Sequence, residues 1–197
     1  MYTNRIVGAW SLIAVSLLSV IVFLIHPIAP DHAALIGRWG INAITHSLGV
    51  GLLPLLLFGC WCLGEWLGLN RPLVRFALCC NLLVVVLTAV AGLTSGWITP
   101  AGYELGHDFG KLAVAINRAC DRGYVAFTAL GMIANGLAFP PDYRSLRLFS
   151  LLIGALPLAW VLSGSFDPQV HPMLVLTLGQ LIWWVSAAQA MLRSPAD

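Results

Sequence analysis

IVGAWSLIAVSLLSVIVFLI, Ile6 to Ile25, runs twenty residues without a charge. At about 1.5 Å of rise per residue, a helix of that length covers about 30 Å, the thickness of a bilayer's hydrocarbon core. Only Ser11, Ser16 and Ser19 interrupt the apolar character, so the helix has no polar stripe to offer to water. A cleavable leader has an apolar core of roughly 7–15 residues followed by a small-residue cleavage site. This run is longer, and the HPIAPDHA that follows it contains no such site. A retained membrane helix is expected.

The rest of the 197-residue chain has the same character. It is 59% hydrophobic and 9% charged, where soluble domains carry about 25% charged residues. Apolar runs recur at residues 42–67, 73–98, 112–139, 146–163 and 172–192. With residues 6–25 they predict an all-α, polytopic bundle of six transmembrane helices forming one domain. A barrel would instead show segments of about ten residues alternating in polarity. Pro54 predicts a kink in the second span, Thr99-Pro100 the end of the third, and AFPPDY the end of the fourth. Residues 99–115 form the one sizeable loop in this scheme, and their second half could extend the fourth helix.

Orientation follows from Lys and Arg in short loops. Arg5, Arg71, Arg75, Arg144, Arg147 and Arg193 fall on one side, and Arg38, Lys111, Arg118 and Arg122 on the other. The richer side predicts cytoplasmic N- and C-termini in a plasma or inner membrane. Ten scattered cations, with a net charge of +2, give no basic patch for nucleic acid. The expected surroundings are lipid, with a homo-oligomer or a larger membrane complex as possible assemblies.

All five histidines, His26, His32, His46, His107 and His171, fall on the outer side of this scheme. INRACDRGY, Ile116 to Tyr124, opens the fourth apolar stretch there and concentrates Asn117, Arg118, Asp121 and Arg122. Asn117 and Asp121 are i,i+4 neighbours, and Asp108, Lys111, Arg118 and Arg122 follow helical spacing. Ionisable groups at membrane depth usually face the bundle interior or a water-filled cavity. His46, Arg118, Asp121, Arg122, His171 and Asn117 are therefore the candidate ligand-binding residues, with arginine suited to a carboxylate or phosphate. The competing reading is interfacial charge, with the arginines reaching to the headgroups.

Imidazole also binds metals and haem, which makes His46, His107 and His171 candidate ligands. No HxxxH, HExxH or CxxCH spacing supports either group. Cys60, Cys62, Cys79 and Cys80 share one depth near the inner face, where packing as small hydrophobes is the expected role. No P-loop, dinucleotide fingerprint or GxSxG elbow is present. Three functions remain as expectations. The first is an outward-opening polar site that binds or transports a small ligand, anionic if the arginines hold it. The second is an accessory subunit of a membrane complex. The third is a haem- or metal-binding redox protein or an intramembrane enzyme.

Overall fold

The computed structural model describes residues 2–27, 39–168 and 170–194, and their side chains except those of Tyr2 and residues 170–172. Among the described residues every regular element is helical. The α-helices are α1 (Tyr2–Ile25), α2 (Trp39–Gly51), α3 (Leu53–Leu67), α4 (Pro72–Leu93), α5 (Thr99–Leu105), α6 (His107–Ala138), α7 (Arg144–Leu162) and α8 (Val170–Arg193). A π-helical turn, Thr94–Ile98, joins α4 to α5, and a 3₁₀ turn, Pro141–Tyr143, precedes α7.

Pro54 breaks the second run as its sequence predicts. It sits in the first turn of α3, just after the break at Leu52, where its missing N–H costs nothing. The Pro140-Pro141 pair ends α6 at Ala138 for the complementary reason, since proline cannot continue the ladder. Thr99-Pro100 behaves differently from expectation: the helix carries on to Leu105. Proline at 100 cannot donate to the Gly96 carbonyl, and the ladder widens to a π turn immediately before it. The expected loop at 99–115 is thus α5 and the first turns of α6. Only Gly106 interrupts it, at φ +155°, ψ +150°, a region essentially confined to glycine.

Five helical stretches are long and apolar enough to cross a membrane: Thr3–Ile25, Trp39–Leu67, Pro72–Leu105, Pro141–Leu162 and Met173–Arg193. The chain is therefore a multi-pass helical membrane protein. Lipid-facing positions confirm the pattern, with Leu24, Val175, Leu156 and Leu17 exposed although wholly apolar. The fourth expected span is not among the five. His107, Asp108, Lys111, Arg118, Asp121 and Arg122 dilute the first half of α6.

The long helices close into a ring. α1 packs on α3, α3 on α4, α4 on α6, α6 on α7, α7 on α8, and α8 back on α1. Within the ring α6 is packed on both sides, by α4 and α7. One end of the ring gathers Trp66, Phe139, Tyr143 and Trp183, whose rings meet edge to face or tilted. The two chain ends meet at the same end: an Arg5 guanidinium nitrogen donates to the Ser194 carbonyl at 2.9 Å. The α3–α4 turn lies there too, with Arg71 donating to the Ala138 carbonyl at 2.6 Å. Trp183 and Trp184 fill the bundle, whereas Trp160 is 38% exposed and packs on Phe166.

The cysteines separate by partner. Cys60 and Cys62 are buried, Cys62 against α1, where a Cβ on Gly8 would lie 2.1 Å from that of Cys62. Cys80 faces α6 beside Gly131, and Cys79 is exposed. Buried thiols on divergent helix faces pack as small apolar groups.

Candidate functional site

α6 is 32 residues long, about 48 Å at the helical rise, against a hydrocarbon core of about 30 Å. About twenty residues back from its C-terminal end at Ala138 comes the region of Arg118 to Asp121. The polar residues of INRACDRGY lie about one hydrocarbon-core thickness from that end, and they divide between two faces.

Asp108, Lys111, Arg118 and Arg122 form an exposed stripe. Asn117 and Asp121 are partly buried on a different face. There the Asn117 amide donates to the Asp121 carboxylate at 3.0 Å. Asp121 thus bonds its neighbour on the inner face rather than Arg118 or Arg122. The face continues inward at heptad spacing: Asn117, Asp121, Tyr124 and Thr128 recur at i, i+4, i+7 and i+11. Tyr124 donates its hydroxyl to Gln180 Oε1 on α8. Thr177, one turn before Gln180, is also buried. Thr128 Oγ1 is buried without a hydrogen-bond partner.

A cavity of about 20 Å³ lies between α6, α7 and α8, lined by Tyr124, Thr128, Met132, Ile153, Pro157 and Gln180. Pro157 lies within α7 and has no N–H to offer to that wall of the cavity. About 10–15 Å³ suffices for one water, which needs two to four polar partners. The cavity has room for a water, and the side chains of Tyr124, Thr128 and Gln180 line it with polar groups. It has no room for an organic solute.

His46 lies apart from this face, on α2. α2 holds it against the π turn, where a Cβ on Gly96 would stand 2.7 Å from the Cβ of His46. Asn42, wholly buried one turn earlier, donates to the Ser95 carbonyl at 2.9 Å. Trp97 donates to Ser47 Oγ at 3.2 Å. Three neighbouring contacts therefore fix α2 on the π turn, and a widened turn of this kind frequently marks a functional position. The ring of His46 meets that of His26, with Nε2 to Nε2 at 3.2 Å and the planes 86° apart. Burial pushes the His26 imidazole below the ordinary histidine value, and its bond to the Pro27 carbonyl pulls the other way.

Of the residues singled out from sequence, Asn117 and Asp121 are brought together, and Arg118 and Arg122 stand apart from them on the exposed stripe. His107 begins α6, exposed and beside the Tyr103 ring. The side chain of His171, like His32, lies outside the described residues. Among the described residues no three of His, Cys, Asp and Glu converge as a metal site. Sequence reasoning passed over Tyr124 and Thr128, although their spacing from Asp121 was readable. His26, twenty residues from His46, left no local signal.

No protein-family model, curated protein or solved structure matches the chain.

Proposed function

We propose that this is a six-span membrane protein that binds and transports a small ligand through an outward-opening polar site, and that the ligand is a proton. The supporting observation is the inner face of α6. It carries a carboxylate at the bundle's outer edge, then a tyrosine and a threonine, over about 10 Å of helix from Asp121 to Thr128. Intramembrane acids turned to the protein interior mark ion pathways and proton relays. A hydroxyl both accepts and donates, so Tyr124 and Thr128 suit a relay, with one water between them.

Along this face of α6, size favours the proton over larger ligands. A space of about 20 Å³ admits a water but not a sugar, amino acid or organic anion. The arginines that made an anion attractive lie on the exposed stripe. There they reach headgroups, and they leave the inner face with an acid and no cation.

Chain parity supports the sixth crossing. Five crossings would put the termini on opposite sides of the membrane, yet Arg5 touches Ser194. An even number fits, and α6, enclosed by α4 and α7, is the helix that supplies it. Both termini are then cytoplasmic, where the arginine-rich ends gather.

The test uses purified protein in liposomes loaded with a pH-sensitive dye, with a potassium-diffusion potential, negative inside. Proton entry should exceed that of protein-free vesicles and persist in Arg118→Ala and Arg122→Ala. Entry no faster than in protein-free vesicles would overturn the proposal. Loss of entry in the arginine variants would return the ligand to an anion.

A further inference from the structure

The pair formed by His26 and His46 lies outside the α6 seam, and its geometry has its own consequence. His26 Nδ1 stands 3.0 Å from the Pro27 carbonyl. A carbonyl only accepts, so in the neutral ring Nδ1 carries the proton and Nε2 presents a lone pair. That lone pair faces Nε2 of His46 at 3.2 Å. Two arrangements satisfy this contact. Either His46 donates its own Nε2 proton, or both nitrogens present lone pairs to a shared cation.

The separation of 3.2 Å by itself fits an N–H···N hydrogen bond. Three observations favour the cation. With metal–nitrogen bonds of about 2.0–2.1 Å, the same separation subtends about 100° at the metal, close to tetrahedral. Metal-ligating histidines characteristically donate their other ring N–H to a carboxylate, carbonyl or water, which His26 does toward Pro27. One turn from His46, Asn42 is wholly buried with its Oδ1 lacking any hydrogen-bond partner. An orphaned oxygen of that kind suits a water held on a nearby ion.

We infer that His26 and His46 bind a divalent transition-metal ion of the zinc class through their two Nε2 atoms, linking the outer end of α1 to α2. Two imidazoles leave two tetrahedral positions for water or another ligand, so the site is open and exchangeable. The site is held by tertiary packing: Gly96 lets α2 approach the π turn, and the Asn42–Ser95 bond sets the height of His46.

The full-length protein, stripped with a chelator and dialysed against zinc, should retain one zinc per chain by elemental analysis. Cobalt substituted for zinc should give the intense visible bands of a tetrahedral site. His26→Ala and His46→Ala should each lose both signals, and His107→Ala should keep them. His26→Cys should keep the metal and add a thiolate-to-cobalt charge-transfer band, which shows that any loss in the alanine variant is loss of a ligand rather than of fold. Zinc retention by wild type no greater than by the His26→Ala/His46→Ala double variant would overturn the inference and leave a neutral histidine pair joined by one hydrogen bond.

Discussion

Replacing Gly154 with leucine is expected to leave almost no folded protein in the membrane. Gly154 is where α7 comes closest to α6. A Cβ there would lie 2.7 Å from the Ala129 carbonyl oxygen, 2.6 Å from Ile133 Cγ1 and 3.2 Å from the Ile133 amide nitrogen. Two of those three atoms are backbone and cannot turn aside. The contact is reciprocal, because Gly136 of α6 lies under Ser150 of α7, with 2.7 Å to its Cβ. Small residues permit such approach between membrane helices, where association depends on van der Waals packing. Inserting even a few methylenes into a packed core costs about 1–3 kcal/mol, and here four carbons would meet backbone. Against a total stability of about 5–15 kcal/mol, separation of α6 from α7 is the expected result. Gly51 makes the control, since a Cβ there meets nothing within 4 Å. Gly51→Ala should be neutral or stabilising by up to about 1 kcal/mol. Thermal unfolding in detergent, followed by size-exclusion recovery, distinguishes the two. A well-folded Gly154→Leu with an unchanged melting temperature would show that α6 and α7 do not pack this way.

Trp183→Ala should be the most damaging truncation of a single side chain. The ring is 0% exposed, meets Trp184 at 4.6 Å and Phe139 at 6.3 Å between centroids, and donates to Ser150 Oγ at 2.5 Å. Two effects can be separated by size. Hydrogen bonds between membrane helices average about 0.6 kcal/mol, so Ser150→Ala should cost on that order. Truncating a buried tryptophan costs about 3–5 kcal/mol in soluble proteins. In lipid the transfer from water contributes less, but the lost dispersion contacts and the cavity remain. A loss of about 3 kcal/mol is expected, several times that of Ser150→Ala, with Trp183→Phe recovering most of it. Equal losses in Ser150→Ala and Trp183→Ala, measured by unfolding in mixed micelles, would mean that the hydrogen bond and not the ring packing holds this end of the bundle together.

These contacts mark the limit of what the chain reveals by itself. The membrane class and the positions of most helices follow from apolar run length, because in lipid the backbone must satisfy its own hydrogen bonds and helices are the available solution. Pro54 and Pro140-Pro141 act locally and are legible. Pro100 is not, because its effect was absorbed by a π turn that His46 of α2, packed on Gly96 of the turn, holds in place. α6 is ambiguous by composition, since its charges dilute its hydropathy, while its packing between α4 and α7 is unambiguous.

The site divides in the same way. The Asn117–Asp121 contact is an i,i+4 relation, written in the sequence. Charge alone drew attention to the stripe through Arg118 and Arg122, which the structure turns outward. The less conspicuous face, with Tyr124 and Thr128, is the one that turns inward. Its partner Gln180 is 56 residues away, and the His26–His46 pair is likewise tertiary.

The proposed proton path depends most heavily on Asp121 as its ionisable step, and one rate tests it. Proton entry into proteoliposomes should fall on the order of 10²-fold in Asp121→Asn, which keeps the shape but removes the titrating group, and Asp121→Glu should restore part of it. Asp121→Asn protein that folds normally and conducts protons at the wild-type rate would contradict the central claim.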